Sequence, residues 1–130
     1  MARYDHLPIY RAAFDLAVHI EKTVRHFSRY HKYSLGTELR EGSRGLLARI
    51  VEANTSRERG PVLDQLGQEL EQFSVLVRLC HAAGACASTR AYLHVAEQLL
   101  GITKQNTGWR RHTATGHSHR ASQQRSGTPG

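Results

Sequence analysis

Apolar positions recur at helical spacing almost from the start of the chain. They fall at Tyr10, Ala13, Ala17, Ile20, Val24 and Phe27, in alternating steps of three and four that line one helix face and fit no strand period. The spacing predicts a helix over residues 7–30, with Pro8 in the first turn, where a missing N–H costs little. A second run, Leu39, Gly42, Leu46, Ile50 and Ala53, follows Ser34, whose hydroxyl suits the N-cap role of accepting an orphan N–H. Gly60-Pro61 breaks the chain. Leu63, Leu66, Leu70, Phe73, Val77, Cys80 and Gly84 then form the most regular heptad seam in the sequence. After Gly84-Ala85-Cys86-Ala87, Ser88 is placed to cap a fourth helix with seam Tyr92, Val95, Leu99 and Ile102, expected to fray near Asn106-Thr107-Gly108.

Four helices of about 20 residues with short connections predict an all-α fold, an antiparallel up-down-up-down four-helix bundle. The bundle is expected to occupy residues 1–112. Residues 113–130 are mostly Gly, Ser, Thr, His, Gln and Arg, with two Ala, one Pro and no large apolar side chain, which predicts a disordered tail because nothing there repays the entropy of ordering. The stretch "RYHKYSLGTELR", Arg29 to Arg40, is expected to connect the first two helices, with Tyr30 and Tyr33 packing its end.

Some apolar residues are left over. Phe14 and Val18 in the first helix, and Val75 and Leu79 in the third, fall outside the seams, which favours burial against a further copy of the chain in a homo-oligomer over the alternative of scattered surface hydrophobes. Gly42 and Gly45, inside "REGSRG", each cost about 1 kcal/mol relative to Ala in a helix. Two explanations stand: close approach of a backbone or of phosphates, or a tolerated kink and small-residue packing.

Charge changes the picture more than composition does. The 130-residue chain carries a formal net charge of +7, yet residues 1–102 hold 13 Lys/Arg against 11 Asp/Glu, while residues 103–130 hold 5 against none. Within the body, residues 22–49 hold seven Lys/Arg against two Asp/Glu, so the remainder is acidic. Lys22, Arg25 and Arg29 step along one helix face and continue into Lys32, while Arg40 and Arg44 step along the next helix. Segregation of that kind makes a field suited to a polyanion. Arg78, Arg90, Arg110 and Arg111 are further candidates for nucleic-acid contact.

Other chemistry finds little support. No Glu-x-x-His pair offers the ligands of a di-metal bundle, and no nucleophile elbow, phosphate loop or zinc-protease motif occurs. The nine histidines form no ligand cluster, and three of them, His112, His117 and His119, lie at or in the tail. Cys80 and Cys86 are expected to be reduced and structural, with no second pair to complete a zinc site. No metal, cofactor or catalytic residue is expected. No apolar run reaches the roughly 18 residues of a membrane span, so no membrane partner is expected and a soluble, cytoplasmic protein is.

The segment "HFSRYHKYSLGTELREGSRGLLARIVEA" resembles the F-P-K-x-x-R-[FY]-x-L-G stretch and following helix of a small four-helix-bundle family. That family includes the accessory variability determinant (Avd) proteins of diversity-generating retroelements and, more broadly, the ribosomal-RNA intervening-sequence proteins. The later "QLGQELEQFSVLVRLCHAAGACASTRAYLHVAEQLLGITKQNTGWRR" is similar to that family's third helix, small-residue turn and Gly-Trp-basic ending, here Gly108-Trp109-Arg110-Arg111. The resemblance covers residues 7–111, with Ser28 standing where the family often has Pro and Lys32 where an Arg is common. It implies a non-catalytic accessory protein, a ring-like homo-oligomer, pentameric as in Avd members of that family, a basic surface for DNA or RNA, and association with the retroelement's reverse transcriptase in mutagenic retrohoming. A protein-interaction scaffold with no nucleic-acid role is the competing class.

Overall fold

The computed structural model describes residues 4–86 and 88–126, with side-chain surroundings described as far as Gly116. Helices α1 (Pro8–Arg25), α2 (Arg29–Lys32), α3 (Leu35–Thr55), α4 (Arg59–Ala82) and α5 (Thr89–Ser126) follow one another, and the described residues contain no strand. Four helices are long and one is a single turn. α1 packs on α3 and α5, and α4 packs on the same two. One continuous apolar core lies among them.

The core uses the expected period with a small rotation. On α1 the buried set is Ile9, Ala13, Leu16, Ile20 and Val24, while Tyr10 and Ala17 of the expected seam are only half-buried. A helix with two neighbours buries a face wider than a heptad stripe, and the branched Ile9 and Leu16 take its centre. α3 buries Gly36, Leu39, Ser43, Leu46, Ile50 and Ala53. α4 buries Leu63, Leu66, Leu70, Phe73, Val77 and Cys80, as its seam predicts. Leu16, Ile20, Leu46, Ile50, Leu63, Leu66 and Leu70 are almost fully enclosed, each stabilising the fold by about 1.5–3 kcal/mol relative to exposure. Burial holds the Cys80 thiol protonated, its pKa pushed up to about 12 chiefly by desolvation, with Cys86 and Glu38 adding to it. Neither cysteine is in a disulfide.

Helix ends differ from the sequence expectation in three places. The first helix stops at Arg25, five residues short, because the His26 and Phe27 N–H groups bond to Thr23 and Val24 carbonyls three residues back. That tightening turns Phe27 into the core, where it is 5% exposed. Ser34 holds the N-cap position of α3 but does not cap with its side chain. Its Oγ instead donates back to the Tyr30 and His31 carbonyls at 3.3 and 3.4 Å, so it closes the preceding turn. The fourth helix passes through Asn106-Thr107-Gly108 without fraying and runs to Ser126, since Asn106 is buried and isolated glycines cost a helix only about 1 kcal/mol each. Helical backbone therefore extends past residue 112, where composition places the start of a disordered tail. Residues 127–130, and the side chains of His117, His119 and the tail arginines, lie outside the described residues.

Two ends form as expected. Ser88 Oγ accepts the Ala91 N–H at 3.1 Å, capping α5. Gly84 ends α4 rather than extending its seam: at φ +79° it lets its own N–H reach the His81 carbonyl and the Ala85 N–H reach the Cys80 carbonyl. That pair of bonds satisfies two orphan carbonyls, and only glycine takes such a φ without strain.

Candidate nucleic-acid interface

The basic set is built around the connection between α1 and α3. What positions it is a glycine. A Cβ on Gly36 would stand 2.8 Å from Val24 Cγ1, 3.4 Å from the His31 carbonyl oxygen and 3.5 Å from Phe27 Cδ2. The first turn of α3 is thus seated directly on the end of α1 and on α2, and any side chain at residue 36 would lift them apart. The glycine at residue 36 therefore has a packing cause. Tyr30 and Tyr33 do not pack the connection, being 85% and 76% exposed. Phe27, with Val24, fills the space they were expected to fill.

Lys22, Arg25 and Arg29 are exposed and Lys32 is half-buried. Among the described residues none of these four forms an ion pair, in contrast to Arg40 and Arg44. Arg40 Nε donates to Glu21 Oε2 at 2.9 Å and Arg44 Nη2 donates to Glu21 Oε1 at 2.7 Å. Glu21 lies one residue before the span over which the sequence count found its excess of charge, so its effect was missed. One carboxylate bridges two guanidiniums across α1 and α3, and the field there is weaker than the count implies. Both arginines still keep about half their side-chain surface.

The remaining candidates are scattered. Arg90 is exposed near the start of α5, one turn from His94, whose ring meets that of His19 on α1 at 4.5 Å. His19 Nδ1 also lies 2.9 Å from Gln98 Oε1, tying α1 to α5. Arg78 lines a groove between α4 and α5. Arg110 donates to Asp64 Oδ1 from Nε at 2.9 Å, and Arg111 lines a shallow depression with Gly60 and Asp64. These two belong to the end that holds the α3–α4 connection. The length of α3, about 30 Å for its 21 residues, separates them from the α1–α3 connection. The ten candidate cations therefore do not form one face.

Gly42 and Gly45 part company. A Cβ at Gly42 would meet the Phe73 ring at 2.8 Å, whereas nothing lies within 4 Å of one at Gly45. Gly42 is a packing position. The cleft beside both is lined by Glu52 and Glu69 as well as Arg49, and Arg49 is already held by these carboxylates at 2.6 and 2.7 Å. That cleft does not suit phosphate. Phe14, Val18, Val75 and Leu79 are each exposed, from 39% to 54%, as their positions off the seams predict. Leu93 and Leu100, at 57% and 55%, are equally exposed and were overlooked, although their spacing of two helical turns outside the α5 seam was visible.

Trp109 is half-buried, with the Arg59 guanidinium carbon 5.9 Å from its ring centroid. Arg59 also donates to the Ala53 and Asn54 carbonyls at 3.0 and 3.1 Å. The Gly-Trp landmark thus serves the fold: Trp109 backs an arginine that caps the C-terminal end of α3.

Among the described residues no group of three or more His, Cys, Asp or Glu is placed to hold a metal ion, and no helix is long and apolar enough to cross a membrane. The fold and the site define a helical-bundle protein with a concentrated basic end. Compared with known proteins, the chain matches no family model and no curated protein.

Proposed function

We propose that the protein is a non-catalytic, nucleic-acid-binding accessory of a diversity-generating retroelement, working in the cytoplasm beside a reverse transcriptase in mutagenic retrohoming. The observation that carries the nucleic-acid part is the group of cations at the α1–α3 connection, Lys22, Arg25, Arg29 and Lys32, that form no ion pair among the described residues. They are presented on a backbone pinned by Gly36. Arg40 and Arg44 extend the same surface at reduced strength, since Glu21 already engages them. The reverse transcriptase and the retroelement rest on the sequence resemblance alone. Pairings such as Arg49 with Glu69 and Arg110 with Asp64 support an antiparallel order of the long helices, as the resemblance implies. The exposed Phe14, Val18, Val75 and Leu79 support self-association, and the resemblance implies a pentameric ring.

Salt dependence tests the binding. Four phosphate contacts give log affinity against log salt a slope of about −3 to −4, with little preference for base sequence. Absence of binding to DNA, RNA or a hybrid at low salt would remove the reading. A protein-interaction scaffold is the second reading, and the same exposed apolar residues favour it. It predicts retention of a protein partner at a salt concentration that abolishes nucleic-acid binding.

A further inference from the structure

The groove between α4 and α5 has a volume of about 680 Å³ and a floor that includes Gly67, Val77 and Leu99. Its α4 lip carries Glu71 and Arg78, and its α5 lip carries Leu100. Leu93, two turns earlier on α5, continues that apolar lip. Beyond Leu100 the α5 edge turns polar at Thr103, Thr107 and Arg110, but over the stretch facing Glu71 and Arg78 the groove is apolar along one edge and charged along the other, which suits an amphipathic helix.

The chain itself carries a helix face that matches. On α1, Asp15 and Lys22 stand two turns apart, in the order negative then positive. On α4, Glu71 and Arg78 stand two turns apart in the same order, so each pair spans roughly 10 Å along its axis. Laid in opposite directions, the two helices bring Asp15 to Arg78 and Lys22 to Glu71. At 100° per residue, Phe14 and Val18 lie to one side of the Asp15–Lys22 line, and in this alignment that side faces α5. All four charged residues are exposed, and among the described residues none is in an ion pair. Phe14 and Val18 on α1, and Leu93 and Leu100 on α5, are likewise the large apolar side chains left exposed among the described residues of those helices.

We propose that the α4–α5 groove receives α1 of a second copy of this chain, running opposite to α4. Asp15 of the second copy meets Arg78, its Lys22 meets Glu71, and its Phe14 and Val18 cover Leu93 and Leu100. The contact joins two different surfaces, so each added copy offers a fresh groove and a fresh α1, and assembly continues until a ring closes or a filament grows. This rests on the self-association proposed above and gives it a register. In the assembled protein Lys22 is engaged between copies, so Arg25, Arg29 and Lys32 carry the phosphate contacts and the salt slope is smaller by about 1 unit than that of four free cations. Val75 and Leu79, on the outer side of α4, are not needed.

Sedimentation of the full chain, with helical content checked by circular dichroism, tests the register. Lys22→Glu and Glu71→Lys, each alone, are expected to weaken association by about tenfold or more, and the double variant Lys22→Glu/Glu71→Lys to restore it. Phe14→Ser is expected to dissociate the assembly, and Val75→Ser to leave it intact. A wild-type chain that is monomeric at tens of micromolar overturns self-association altogether. A wild-type assembly indifferent to both charge reversals, or one that the double variant fails to restore, overturns this interface and leaves self-association standing.

Discussion

The two ends of the molecule are both rich in arginine and use it differently. Around the α3–α4 connection, Arg59 is spent on backbone carbonyls and a tryptophan face, Arg110 on Asp64, and Arg49, farther along α3, on Glu52 and Glu69. Around the α1–α3 connection, Lys22, Arg25, Arg29 and Lys32 have no carboxylate partner among the described residues. The same side chain is a brace at one end and a free charge at the other. What separates the roles is the local supply of acceptors, which depends on which helices pack together and not on how many cations a segment holds.

The comparison breaks most visibly if the pinned end is loosened. Gly36→Ala pushes a methyl group into Val24 and is expected to destabilise the fold by about 1–3 kcal/mol, read as a lower midpoint in urea. Gly45→Ala, with open space around it, should instead be neutral or slightly stabilising. At the braced end, Arg59→Ala removes two carbonyl caps and is expected to cost about 1–2 kcal/mol, with nucleic-acid affinity unchanged. An equal loss of affinity would show that this end binds too.

At the free end, Arg25→Ala combined with Arg29→Ala should leave the unfolding midpoint within experimental scatter. It should reduce the salt slope of nucleic-acid binding by about 2 units, and an unchanged slope would break the assignment of free charge to this surface. The smallest expected effect sharpens the contrast from the other side. Glu21→Gln releases Arg40 and Arg44, so affinity at low salt should rise by a few-fold and the slope should steepen. A fall in affinity would mean that Glu21 holds the two guanidiniums in their binding posture.

Much of this fold was legible because heptad spacing is a strong signal where one helix face is buried. The α4 seam was read correctly up to Cys80, and the capping of α5 by Ser88 followed from a local rule. The misreadings came where tertiary contacts decide. Phe27 was placed on the core seam, but nothing local says that the helix ends before it, or that Ser34 turns its hydroxyl backward. The helical path through Gly108 also escaped the composition, because a buried Asn106 holds the chain there. For the site, the exposure of Lys22, Arg25 and Arg29 was legible from their spacing opposite the buried seam. The capture of Arg40 and Arg44 was not, since Glu21 becomes their neighbour only when α1 meets α3. Distance along the chain also hid that Arg110 and Arg111 stand at the far end from the others.

Gly36 has one more consequence, which concerns entropy. Because Val24, Phe27 and the His31 carbonyl close over it, the single turn of α2 is clamped between two longer helices and is not a loop free to sample many shapes. Arg29 and Lys32 can swing their side chains, but the backbone that carries them is already fixed. An anion arriving there restricts a few rotamers and orders no polypeptide, so little of the attraction is lost to disorder surrendered on contact.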